Sequence, residues 1–132
     1  MHRVIIAANH TILGFSLIDI ENVTVQRVSI LEDNEPDLNV EYGIEEGDHG
    51  LIILSQDDMP VGFEFIETSN SWSRPDALTQ YHELASEGYY VGVIVPEESF
   101  LPVIQRIYSL GEMDVTVLTY RSVGLMPVPM AS

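Results

Sequence analysis

The stretch LIILSQDDMPVGFEFIETS, residues 51–69, decides how the rest of the chain is read. An apolar run at 51–54 is followed by a polar turn and by a second apolar run at 61–67, into which carboxylates are set. This is the pattern of a β-hairpin. Asp57 and Asp58 fall in the turn, where Asp side chains bond the local backbone and tolerate its conformation. Glu64 lies within the second strand, so it is either a surface residue or a carboxylate placed there for chemistry.

Outward toward the C-terminus, SNSWSRPDAL carries a helix start: Ser73 can cap, Asp76 follows three residues later, and Pro75 stands in the first turn. Leu78, Tyr81, Leu84 and Ala85 recur at helical spacing, and Gly88 stops the helix. YYVGVIV (89–95) reads as a strand covered on both faces, being apolar almost throughout. In PEESFLPVIQRIYSLG (96–111), Pro102 is compatible with a helix if Ser99 is its N-cap, because the first turn has no N–H to lose. The predicted buried stripe is Leu101, Ile104, Ile107 and Tyr108. A last strand covers 115–120, and the apolar tail VGLMPVPM (123–130) either packs on the domain or meets a partner.

Toward the N-terminus, 4–8, 12–20 and 23–31 read as strands on their β-branched content, with Glu21 and Asn22 as a tight turn. The segment 32–48 holds eight acids and no arginine, and reads as a surface connection with one short strand at 38–42. The predicted fold is α/β. An N-terminal β-rich segment with an acidic loop (1–48) precedes a β-β-α-β-α-β core (49–121) and an apolar tail (122–132), all in one domain. Each strand–helix–strand step predicts parallel neighbours, and the hairpin adds an antiparallel one, giving a mixed sheet with helices packed on it.

Composition narrows the chemistry. The chain has 132 residues, 45% of them hydrophobic, enough for a core without disulfides or metal. No cysteine is present, which excludes thiol chemistry and cysteine-based zinc sites. No long apolar run or signal pattern stands out, so a cytoplasmic location is expected. Against 21 acids there are five arginines and no lysine, for a formal charge of −16. Such a chain repels phosphate backbones. A basic partner, a salt-rich cytoplasm or solubility each accounts for the acidity. Nucleic-acid mimicry is a further alternative.

A hairpin whose second strand carries a carboxylate, followed by a helix and a parallel strand, resembles the core of the restriction-endonuclease-like (PD-(D/E)xK) nucleases. The resemblance spans roughly residues 48–120. It implies a Mg²⁺ site, with Asp48 opening the first hairpin strand and Glu64 on the second as metal ligands, and Gln80 on the following helix as an accessory residue. The metal would offset phosphoryl charge and activate a water. The chain departs from the pattern at the lysine of the triplet, which is Ile66, on the same strand face as Glu64. Arg74 is the nearest cation along the chain, and a guanidinium stays protonated and transfers protons poorly. No helix pattern is evident ahead of the hairpin.

Other constellations are thin. His2, His10, His49 and His82 form no local metal pair, and Asp48-His49 reads as exposed loop. The strand end at VIVPEES places two glutamates where a phosphate loop would need donors. Trp72 reads as a staple on Tyr89 or on the helix start rather than as a partner anchor. The expectation is therefore a non-catalytic domain without cofactor, acting through protein binding or as a homodimer. A metal-dependent phosphodiesterase using Asp48 and Glu64 is the alternative.

Overall fold

The structure is a computed structural model that describes residues 18–109, 111 and 114–130. Its elements run α1 (Ile20–Asn34), β1 (Asn39–Glu45), β2 (His49–Gln56), β3 (Met59–Ile66), α2 (Ala77–Ser86), β4 (Tyr90–Val95), α3 (Phe100–Tyr108) and β5 (Thr116–Thr119). The strands form one mixed sheet in the order β1-β2-β3-β4-β5. The first three make an antiparallel meander, while β3, β4 and β5 are parallel. The α/β class, the hairpin and the two parallel steps thus stand as the sequence predicts.

Both faces of the sheet are covered. On one, α1 brings Ile20, Val23, Val28 and Leu31 against Ile52, Leu54, Ile66 and Ile94. On the other, Ala77 and Tyr81 of α2 and Val103 and Ile107 of α3 pack on Phe65, Val91, Val93 and Val95. The crossovers β3-α2-β4 and β4-α3-β5 advance in one direction, and their helices share a face, as two crossovers of the same hand require. Strand β4 is sandwiched between the layers, which accounts for its unbroken apolar run.

The main correction concerns residues 23–31, which form most of α1 and not a strand. Asp19 is the N-cap, its Oδ1 accepting from the Asn22 N–H at 3.0 Å, so Glu21 and Asn22 open a helix where a turn is predicted. The buried residues Ile20, Val23, Thr24, Val28 and Leu31 follow the helical period. Burial of that stripe outweighs the β preference of Val23, Thr24, Val25 and Val28. A helix therefore does precede the hairpin. The predicted strand at 4–8, and 12–20 up to residue 17, lie outside the described residues. The strand placed at 38–42 is the longer β1, which shortens the acidic connection to a few residues after Asn34.

Smaller differences follow the same logic. The N-cap of α2 is Asp76, preceded by a 3-10 turn at Ser71–Ser73, and Ser73 Oγ instead donates to the Asn70 carbonyl at 2.8 Å. Ser99 is the N-cap of α3, with Pro102 in its first turn, as predicted. The stripe that α3 buries is Val103 and Ile107, with Phe100 beside it, whereas Leu101 and Tyr108 are exposed. Asp57 and Asp58 form the hairpin turn with φ of 53° and 66°, the left-handed pair that a two-residue hairpin loop requires. The tail packs on α1: Leu125 is buried, Gln26 bonds the Met126 backbone through both ends of its amide, and the Asp19 N–H donates to the Val128 carbonyl.

Candidate functional site

Alternation along β3 sends its carboxylates to opposite faces of the sheet. Glu64 and Ile66 face α1, while Phe65 and the residue after the strand, Glu67, face α2. Glu64 is 1% exposed and Glu67 is 0% exposed. A buried carboxylate without partners is costly enough that both must be compensated, and each is compensated by an arginine.

On the α1 face, Arg27 occupies the helical stripe between Val23 and Leu31 and forks onto Glu64. Its Nε lies 2.7 Å from Oε1 and its Nη2 lies 2.9 Å from Oε2. Tyr90 of β4 adds a third bond, its hydroxyl donating to Oε2 at 3.2 Å. Burial, then the charge of Glu64 and the bond to it, push the Tyr90 hydroxyl up to about 12, so it stays a donor at neutral pH. Burial opposes the Arg27 charge, but the bond and charge of Glu64 prevail and its pKa is raised. Gly62 and Gly92 make room for this ring: a Cβ on Gly62 would stand 3.0 Å from the Tyr90 ring, and one on Gly92 would stand 2.6 Å from its hydroxyl.

On the α2 face, Glu67 accepts from Ser71 Oγ at 2.6 Å, from Arg74 Nη1 at 2.6 Å and from the Tyr81 hydroxyl. Arg74 also donates to the Ser71 carbonyl at 2.9 Å and, through Nη2, to Gln80 Oε1 at 3.0 Å. Burial works against the Arg74 charge, but Glu67 outweighs it, with added support from Tyr81 and Asp48, and the pKa is raised. Burial, followed by the charge of Glu67, holds the Tyr81 hydroxyl far above the usual phenol range. The register pairs Gly50 with Ile66, so the flanking residues His49 and Glu67 fall opposite each other. His49 is buried, its Nδ1 is 2.6 Å from Asp48 Oδ1, and its ring stacks on Phe65 with centroids 6.4 Å apart. Asp48 is a part-exposed turn residue as the sequence predicts, whereas His49 is not exposed loop but the buried first residue of β2. The cross-strand pairing with β3 pulls His49 inside.

The three predicted site residues are therefore not brought together as a set. Gln80 is bonded to Arg74, and the charge of Asp48 adds to the electrostatic support of that arginine. Glu64 faces α1 and pairs with Ile52, three residues and about 10 Å into β2 from His49, whereas Asp48 lies in the turn before that strand. Glu67 is the carboxylate that shares Arg74 with Gln80. Ile66, in the lysine position beside Glu64, is fully buried against α1. Trp72 is half-buried against the core of the α2 face, and its Nε1 is buried without a hydrogen-bond partner among the described residues.

Among the described residues, no group of three or more His, Asp or Glu is arranged to hold a metal ion. Nor is any described helix long and apolar enough to cross a membrane. Comparison with protein-family models, with curated proteins and with solved structures gives no match.

Proposed function

We propose that the chain is a non-catalytic acidic domain that works by binding a basic protein, on a nuclease-like core whose catalytic positions have become structural ion pairs. The observation that carries this reading is the closure of both buried carboxylates. Glu64 is capped by Arg27 and Tyr90, and Glu67 by Arg74, Ser71 and Tyr81. A metal at either carboxylate would have to displace a buried guanidinium. Helix α1 ahead of the strands, Asp48 at the entry to β2, and Gln80 on the helix after β3 support the nuclease-like ancestry of the core.

The partner's charge follows from where the arginines sit. Arg27 and Arg74 are engaged inside the fold, so Arg106 and Arg121 are the exposed arginines among the described residues. Among the described residues the other exposed formal charges are carboxylates, and a complementary surface is basic.

The runner-up is a phosphodiesterase. One observation favours it, the hydrogen bonds of Arg74 to both Glu67 and Gln80, with Asp48 adding to the electrostatic support of that guanidinium. Two measurements separate the readings. Titration with Mg²⁺ and Mn²⁺ in a calorimeter should give no heat that depends on Glu64 or Glu67. Immobilised chain should retain a discrete basic protein from native extract and release it as salt rises. A Glu67-dependent metal isotherm, with cleavage of a phosphodiester, would sink the binding reading.

A further inference from the structure

A cleft of about 320 Å³ opens between α1 and the amino ends of β3 and β4. Leu31, Leu38, Leu54 and Val61 form its apolar walls. Its floor is the ion pair of Arg27 and Glu64 with Tyr90, and Glu35 stands at its rim. The bidentate bond to Glu64 neutralises Arg27, so the floor offers little to a free anion. Tyr90 is 40% exposed and lines the cleft.

The backbone is shaped for this opening. The register shifts between Leu54 and Ser55: Leu54 faces Gly62 and Ser55 faces Pro60, so Val61 is the extra residue of a β-bulge. A bulge redirects a side chain that a regular strand would commit to one face, and here Val61 lines the cleft. The surrounding loops carry acids. Asp37 precedes β1, Asp57 and Asp58 turn between β2 and β3, and Glu87 precedes β4. All lie at the sheet end where β3 and β4 begin.

We propose that this cleft receives an arginine or lysine side chain of the basic partner. The aliphatic stem packs on Leu38, Leu54 and Val61, the cationic head lies over the Tyr90 ring, and Glu35 accepts its hydrogen bonds. The volume is at the small end of ligand pockets and suits one long side chain. The assignment deepens the protein-binding reading above and rests on it.

The test is an NMR titration of the full chain with a short four-arginine peptide and its lysine counterpart, at about 0.15 M salt to damp diffuse attraction. Saturable shifts should concentrate at Leu38, Val61, Gly62 and Tyr90. Val61→Lys, a surface change that places a competing cation in the cleft, should weaken binding by about tenfold, and Glu35→Gln by about threefold. Glu83→Lys, on exposed α2 across the sheet, should change it by less than about twofold. Shifts spread over the whole acidic surface, with Val61→Lys and Glu83→Lys equally damaging, overturn the cleft while leaving a basic partner in place. A failure of both peptides to bind at the cleft, with a basic protein still retained from extract, also overturns it. Absence of binding to peptides and proteins alike removes both readings.

Discussion

At the scale of single residues, the two buried arginines decide the chemistry. Replacing Arg27 by Met leaves the Glu64 carboxylate buried and uncompensated, and should lower stability by about 3–5 kcal/mol in urea unfolding. Adding Glu64→Leu should return most of that loss, because an apolar pair of similar size needs no compensation. A single mutant that loses under about 1 kcal/mol would show that water already reaches the pair. Tyr90 gives a pH signature. Its pKa is raised to about 12 above the ordinary tyrosine value of about 10. The folded protein thus keeps a proton that the unfolded chain has lost. The resulting stabilisation is complete below about pH 10 and disappears as pH rises through about 12. Urea midpoints across that window should fall more gently in Tyr90→Phe than in the parent. Little of this was legible beforehand. Glu64 could be suspected from its place in a strand, but Arg27 lies 37 residues away and a contact at that separation leaves no local pattern. Glu67 shares the parity of Phe63 and Phe65, which is the signal that could have marked it as inward-facing.

At the scale of elements, α1 lies close against β2 at Gly50. A Cβ on Gly50 would stand 2.1 Å from Thr24 Oγ1 and 3.1 Å from Thr24 Cβ. Gly50→Ala must therefore push the helix off the sheet, at a cost of about 1–3 kcal/mol. Thr24→Ala in the same chain should recover part of the loss, since it removes the two nearest atoms. Additive effects in the double mutant would mean that the helix does not rest there. The elements after residue 49 were readable because each has clear punctuation: a two-Asp turn, Pro75, Gly88 with φ of 92°, and Ser99 before Pro102. Helix α1 was not, because five β-branched residues between 23 and 30 match strand propensity, and only packing on the sheet favours the helical period. The stripe of α3 was misplaced because its apolar arc is wide. Leu101, Val103, Ile104, Ile107 and Tyr108 span more than one side of the helix, and its packing on the sheet buries Val103 and Ile107.

At the scale of the whole molecule, charge and topology set the behaviour. A formal charge of −16 with Arg27 and Arg74 engaged inside leaves the exposed acids repelling one another. Thermal unfolding should therefore shift upward as NaCl rises from about 10 mM to 0.5 M, because salt screens the surface and barely reaches the buried pairs. A midpoint that falls with salt would instead place net attraction on the surface. The β2–β5 part of the mixed sheet was legible even though the place of β1 at its edge and helix α1 were not, since the parallel order follows from strand–helix–strand succession alone. The tail that fastens α1 has a consequence for how the protein is made. Gln26 and Met126 are 100 residues apart, yet they share two hydrogen bonds. During synthesis from the N-terminus, α1 leaves the ribosome long before its clasp exists. It must wait for that clasp through translation of the entire sheet. The last described residues thus act as a latch on an element made 100 residues before them, and α1 is without that latch until they emerge.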